Sequence, residues 1–332
     1  MSPKSSLHAV LAAIAISILS GCKEDPPALN YRMGIFPDSP VALEGLNSQY
    51  DDYNSDLREY GIITGSLPIV FSSNRESSGG KFNLVYGQIG YHFGQTSGFF
   101  QLNSEIFQDA FLSALTVKFN TPGNDFGPFR FFNSGDGLEY MATATEVAGN
   151  GLDIVFSKFT PSFSSVPAIP DPTPAILFNS PSEDAYLSLD ARFDTAYFCS
   201  DRGGNFDIYQ LNRPAGKSVS EWFLSPYAIA VAVDSLSTPF NEKCPFVSGR
   251  YLVFVSDMPG GIGGFDIYYS VFRGGKWSSP VNMGPDINSA SNEYRPVICS
   301  DLQFESPFMV FSSDRPGGKG GYDLYFTGVT FK

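Results

Sequence analysis

Hydrophobic positions along this chain fall in short runs that stop at clusters of Ser, Asp and Gly. The pattern is sharpest where Phe254-Val255 leads into Ser256-Asp257, a glycine-rich turn, and then Phe265-Asp266-Ile267-Tyr268. The same order returns 57 residues later as Phe311-Ser312-Ser313-Asp314, a turn, and Tyr322-Asp323-Leu324-Tyr325. A shorter copy runs Phe198-Cys199-Ser200-Asp201, then Phe206-Asp207-Ile208-Tyr209. A decayed copy starts at Phe71-Ser72-Ser73-Asn74-Arg75, and the weakest is Thr145-Glu146 followed by Gly151-Leu152-Asp153-Ile154. Each unit reads as a β-hairpin: an apolar strand, a turn whose glycines reach φ > 0, and a second strand. Its Asp side chains sit where they can accept from turn N–H groups.

A second element sets the register. Asn288-Ser289-Ala290-Ser291-Asn292-Glu293 aligns without gaps with Ser237-Thr238-Pro239-Phe240-Asn241-Glu242 and with Asn120-Thr121-Pro122-Gly123-Asn124-Asp125. Looser copies start at Asn179 and Asn47, and the copies are spaced by 73, 59, 58 and 51 residues. Every copy carries an acid at its sixth position: Asp52, Asp125, Asp184, Glu242 and Glu293. A further strand is expected at Gly275–Met283, around Lys276-Trp277, with a relative at Gly216–Trp222. Four strands per repeat is the blade of a propeller. The expected fold is all-β, a single propeller over 31–332 with five four-stranded blades. Too little chain follows the fifth hairpin for its last strand, so Val41-Ala42-Leu43 is expected to complete that blade and close the ring, removing its edges. Extra length about 94–115 reads as an insertion, with a short helix near Ser104–Leu112.

Composition narrows the function. Thirty-four acids against 21 bases give a net charge of −13, which argues against nucleic acid. Of two histidines, His8 lies in a segment expected to be removed, so a His-cluster zinc site is excluded. Cys199, Cys244 and Cys299 stand in apolar contexts without a C-x-x-C pattern. They read as buried small hydrophobes, with one bridge between two of them as the alternative.

The N-terminus reads as an address. Lys4 precedes an 11-residue apolar run, Ala9–Leu19, too short to span a bilayer. Residues 1–21 fit a signal peptide, and Leu19-Ser20-Gly21-Cys22 resembles a bacterial lipoprotein lipobox. By that resemblance Cys22 carries acyl chains that anchor the protein stably in a membrane. Lys23-Glu24-Asp25 resembles the export signal of Bacteroidetes surface lipoproteins, and residues 22–30 form a tether. The expected location is the bacterial outer membrane, on its periplasmic face or at the cell surface.

The S-D-R-x-G-G-x-G-G-aromatic-D-I/L-Y hairpin, the N-E-x-x-P element and the K-W strand resemble the WD40-like PD40 repeat of TolB-type propellers. That resemblance is strongest over Ser237–Tyr325. It implies a cell-envelope propeller acting as a protein-binding or scaffold module. The alternative is a glycan-binding protein or a propeller glycoside hydrolase, which would need two carboxylates flanking the scissile bond. The partner is then an envelope protein or a glycan.

Two readings attach to the acids. Asp52, Asp125, Asp184, Glu242 and Glu293 start the strands that line a propeller channel. Together they either form a mouth for a cation or basic segment, or accept hydrogen bonds inside their own blades. Asp201, Asp207, Asp257, Asp266, Asp314 and Asp323 read as structural turn acids. No catalytic residue, metal site or cofactor is assigned. Ca²⁺ is the one ion that clustered Asp and Gly suit, although no EF-hand spacing occurs. Aromatic-dense stretches such as Phe126–Phe132 offer either core packing or sugar stacking.

Overall fold

The computed structural model describes residues 31–58, 66–147, 151–162 and 165–331. The segments expected to be signal peptide and tether, with Cys22, lie outside the described residues. The rest is a five-bladed β-propeller. Blade 1 comprises Asp52–Tyr53, Ser66–Ser73, Asn83–Gly94 and Phe99–Glu105. Blade 2 comprises Asp125–Asn133, Leu138–Val147, Gly151–Phe159 and Thr173–Pro174. Blade 3 is built from Asp184–Leu189, Thr195–Ser200, Asp207–Asn212 and Val231–Ala232. Blade 4 is built from Glu242–Ser248, Tyr251–Ser256, Asp266–Arg273 and Val281–Asn282, with Lys276–Trp277 paired to the end of its third strand. Blade 5 takes Glu293–Cys299, Phe308–Ser313 and Asp323–Gly328 from the C-terminus and Val41–Ala42 from the N-terminus. The closing strand is antiparallel, with Val41 opposite Phe326 and Ala42 opposite Tyr325.

All pairings within the blades are antiparallel, so each blade has two ends. The upper face carries the starts of the inner strands and the Asp-Gly hairpin turns. The lower face carries the other turns and both ends of the described chain. There Tyr31 N–H donates to Gln95 O (2.9 Å), and Gly34 bridges Phe304. Phe331 stacks on Tyr251 with ring centroids 3.8 Å apart.

The motif residues divide the work of holding the ring. The residue two before the hairpin Ser is Phe71, Phe198, Phe254 and Phe311 in four blades, and each is fully buried. Burying such a side chain contributes roughly 1.5–3 kcal/mol. Blade 2, the weakest repeat, has Thr143 there. The Asn of the second motif joins neighbouring blades. Asn47, Asn120, Asn179 and Asn288 each exchange two hydrogen bonds with the backbone of Leu324, Leu84, Ile154 and Ile267 of the preceding blade. Backbone bonds add to this: Asp52 N–H donates to Tyr322 O, Asp125 to Phe82, Glu242 to Phe206 and Glu293 to Phe265. The turns also fit closely. A Cβ on Gly320 would lie 1.9 Å from the carbonyl oxygen of Tyr50, so only glycine fits that approach.

Two local expectations are corrected. Gly216–Trp222 is not a strand: α2 (Val219–Phe223) replaces it, started by a capping box between Ser218 and Glu221. Trp222 goes into the core instead. The stretch about 94–115 holds the tip of a long hairpin, the regular fourth strand of blade 1, and the start of α1 (Ala110–Phe119). The helix begins later than expected because Asp109 caps it, accepting from Leu112 N–H at 2.8 Å. Cys199, Cys244 and Cys299 are buried thiols outside any disulfide, and burial pushes the Cys199 thiol up to about 11.

Candidate functional site

The five acids open the five inner strands at the upper face, and all are fully buried. Each accepts from the Ser or Thr four residues earlier, and Asp52, Asp125, Glu242 and Glu293 also accept from the hairpin Ser or Thr of their own blades. Ser48 donates to Asp52 through N–H (2.6 Å) and hydroxyl (2.8 Å), and Ser73 adds a 2.5 Å bond. Thr121 and Thr145 serve Asp125 at 2.7–3.0 Å. Thr238 and Ser256 serve Glu242 at 2.6–3.0 Å, and Ser289 and Ser313 serve Glu293 at 2.6–3.1 Å. Ser180 serves Asp184 at 2.6 and 2.8 Å.

In three blades an arginine completes the arrangement. Arg75, Arg202 and Arg315 pair with Asp52, Asp184 and Glu293. Their guanidinium groups sit 5.1–5.3 Å from the centroids of Phe71, Phe198 and Phe311. Blade 4 has Met258 at this place, and Glu242, buried beside only hydroxyl and amide donors, is pushed up to about 7. Burial also raises Asp125 and Glu293, partly offset by their donors.

The turn acids bind backbone and amides. Asp266 accepts from Ile262 N–H (2.5 Å), Gly263 N–H (3.0 Å) and Asn282 Nδ2 (2.8 Å), and Asp323 from Lys319 N–H (2.5 Å). Asp257 and Asp314 each receive N–H and Nδ2 bonds from Asn241 and Asn292 at 2.7–2.8 Å, and Asp201 accepts from Glu183 N–H (2.9 Å). Asp207 is raised by burial, offset by Ser237. Among the described residues no group of three His, Cys, Asp or Glu side chains is placed to hold a metal ion.

What differs from blade to blade lies one and two residues after the opening acid. The second position has positive φ in every blade: Asn54 (56°), Gly127 (57°), Tyr186 (60°), Cys244 (56°) and Arg295 (46°). Side chains other than glycine rarely adopt this region. It produces a bulge that turns these side chains into the axis, where Asn54 Nδ2 donates to the Tyr186 hydroxyl (3.1 Å) and the Arg295 guanidinium lies over the Tyr186 ring. The axis is filled at this level: Asn54, Cys244 and Arg295 are fully buried.

Above this plug the first position supplies Tyr53, Phe126, Ala185, Lys243 and Tyr294. All but Ala185 pack at a blade joint beside the aromatic residue of the preceding hairpin motif, whose place in blade 2 is taken by Leu152. Tyr53 lies 5.4 Å from Tyr322, Phe126 lies 5.3 Å from Phe82, and Tyr294 lies 5.7 Å from Phe265. Lys243 Nζ sits 3.9 Å above Phe206. Tyr53 also meets Phe126 at 5.7 Å and Tyr294 at 6.2 Å, so the rings join across the axis. The result is a half-buried aromatic plate at the centre of the upper face, holding one lysine and notched at Ala185. Burial raises the hydroxyls of Tyr53, Tyr294 and Tyr322, so they stay neutral. Sequence reasoning marked Phe126 as part of an aromatic run but missed the plate, since its members are scattered over four blades. The signal available was the residue after each opening acid, aromatic in three copies out of five.

No protein-family model matches the chain, and no curated protein is similar to it at a significant level. Solved structures do match. A thermostable family-43 glycoside hydrolase superposes with a TM-score of 0.54 at 13% identity, covering 89% of this chain and 93% of that one. An α-L-arabinofuranosidase from Lactobacillus brevis gives 0.53 at 11% identity, over 89% and 94% of the two chains. An exo-β-1,3-galactanase from Phanerochaete chrysosporium gives 0.53 at 11% identity, over 89% of this chain and 65% of that one. At these identities the likeness is one of fold: this chain has the five-bladed propeller that those glycoside hydrolases share.

Proposed function

We propose that the chain is a glycan-binding propeller. The observation that carries this reading is the half-buried plate of Tyr53, Phe82, Phe126, Tyr294 and Tyr322, extended by Phe265 and Lys243. Flat rings present apolar faces to the C–H face of a sugar, while tyrosine hydroxyls and an ammonium serve its oxygens. Carbohydrate-active neighbours of the same fold support the reading by analogy. Capture fits the chemistry better than hydrolysis. Glycoside cleavage needs an acid and a base facing the scissile bond. Here the five central carboxylates lie buried, each engaged within its own blade.

We further propose membership of the PD40-type repeat group and anchoring through Cys22 in the outer membrane. Tyr31 leaves the lower face, so an anchor nine residues before it would present the plate away from the membrane. Affinity electrophoresis through polysaccharide gels, arabinan and galactan included, tests the glycan reading. Retardation that Tyr53→Ala abolishes is the expected result; unretarded wild-type protein in every gel would overturn it.

A second reading, a protein scaffold, is favoured by an exposed apolar patch at the rim of blades 2 and 3. Ile176, Leu224, Tyr227, Ile229 and Val231 all stand in solvent, and Leu177 N–H donates to Phe223 O, which brings Ile176 beside Leu224. Stoichiometric co-purification of an envelope protein, lost in Ile229→Asp, would favour it.

A further inference from the structure

Four buried charges break the repeat on the lower half of blades 1 and 2. Arg130 Nε and Nη2 grip Asp56 at 2.5 and 3.0 Å, and Arg130 also donates to Pro68 O (2.9 Å). Arg58 donates to Glu139, and both side chains are below 10% exposed. The matching stretch of the inner strand in blade 5 is Val297-Ile298-Cys299, all apolar. A buried ion pair adds little net stability over apolar packing of the same volume. Folding alone therefore gives weak grounds for these charges.

The Arg58–Glu139 pair forms one wall of a cavity of about 380 Å³. That volume is in the range of small-ligand sites. The other walls are mostly flat and apolar: Phe111 from α1, Phe132 and Phe159 from the ends of two strands of blade 2, Pro161 and Pro167, with the exposed Ser162 beside them at the rim. Phe111 and Phe159 meet edge to face at 5.6 Å, which fixes their rings. Phe132 is 41% exposed and stands at the rim.

The wall chemistry selects the ligand. A carboxylate ligand would meet Glu139, and an ammonium would meet Arg58, so a charged ligand gains little from a paired wall. A hydrocarbon would leave the ion pair facing an apolar surface, which is unfavourable. A fixed donor beside a fixed acceptor, opposite flat rings, complements a neutral ring with adjacent hydroxyl groups. From this juxtaposition of the Arg58–Glu139 pair with Phe111, Phe132 and Phe159, we infer that the lower face holds a second binding site, for a single neutral pyranose unit. Asp56 and Arg130 act electrostatically on the pair: Asp56 favours the Arg58 cation, Arg130 opposes it, and Arg130 favours the Glu139 carboxylate. The site lies at the end of blade 2 opposite the aromatic plate and does not depend on it.

The test is saturation-transfer NMR on the full chain carrying Tyr53→Ala, which disables the plate, with methyl pyranosides of glucose, galactose and xylose. At least one is expected to show saturable transfer. Phe132→Ala, at the exposed rim, is expected to weaken it about tenfold, one stacked ring's worth. Ser162→Trp, which closes the rim with a bulky side chain, is expected to abolish it. Made in the chain that keeps Tyr53, neither change should alter retardation on polysaccharide gels, which Tyr53→Ala should abolish. No transfer from any of the three glycosides, or transfer that survives both Phe132→Ala and Ser162→Trp in folded protein, would overturn the inference.

Discussion

Asn288 and Ile267 face each other across the joint between blades 4 and 5 and exchange two hydrogen bonds, Ile267 N–H to Oδ1 at 2.8 Å and Nδ2 to Ile267 O at 3.0 Å. The carboxamide does the work of a neighbouring strand with a single side chain. Removing it strands a buried donor and acceptor. Asn288→Ala is therefore expected to lower the unfolding free energy by about 2–3 kcal/mol. Denaturant titration followed by tryptophan fluorescence reads this directly. Equal stability of variant and parent would show that water replaces the staple.

Glu242 predicts a pH dependence. Its folded pKa of about 7 stands above the ordinary 4.5. The folded state thus holds a proton that the unfolded state releases, and stability from this group is complete below pH 4.5 and is lost as pH rises towards 7. Glu242→Gln mimics the protonated side chain. The variant should match the parent in acid and melt higher above pH 7, so that the two melting curves diverge between. A constant offset across this range would refute the assignment.

Met258 marks one of the two blades where the arginine is missing. Phe254 and Tyr268 are 6.0 Å apart, as Phe311 and Tyr325 are at 5.9 Å around Arg315. Met258→Arg should restore the ion pair to Glu242 and the stacking on Phe254. About 1 kcal/mol of added stability is expected at pH 8, with the pH dependence of the parent lost. A lower melting temperature for this variant would mean that blade 4 has no room for the guanidinium.

Asp125 separates scaffold from site. Three donor groups of Thr121 and Thr145 converge on it within 3.0 Å. Asp125→Ala should destabilise the chain by about 2–4 kcal/mol, and the protein that stays folded should retain its glycan affinity. Loss of binding without loss of stability would place Asp125 in the site instead.

The repeat was legible because each motif residue has a duty that recurs in at least four of the five blades. Phe311 fills the core, Glu293 anchors the turn, Asn288 staples the joint, and their spacing survives in the sequence. Ring closure through Val41–Ala42 was legible for the same reason: the fifth blade was one strand short. The α2 segment was misread although its signal was present, since Ser218 and Glu221 stand three apart as a capping box requires. Trp222 imitated Trp277 and obscured it. The positive φ of Tyr186, Cys244 and Arg295 left no trace, because bulky residues in that conformation carry no local signature. The charge pairs of blades 1 and 2 were invisible for another reason. Arg58 and Glu139 lie 81 residues apart, Asp56 and Arg130 lie 74 apart, and only the ring brings them together.

The closing strand fixes how the molecule bears load. Any pull on the N-terminal end enters at the lower face, where Phe36 is stacked on Phe304 at 3.8 Å and Gly34 is bonded to Gln303 and Glu305. It then runs along Val41–Ala42, alongside the antiparallel strand it pairs with. The hydrogen bonds of that seam are stretched together, in shear, rather than opened one at a time. A ring latched in this way resists a pull on its N-terminal end best along the axis of that seam.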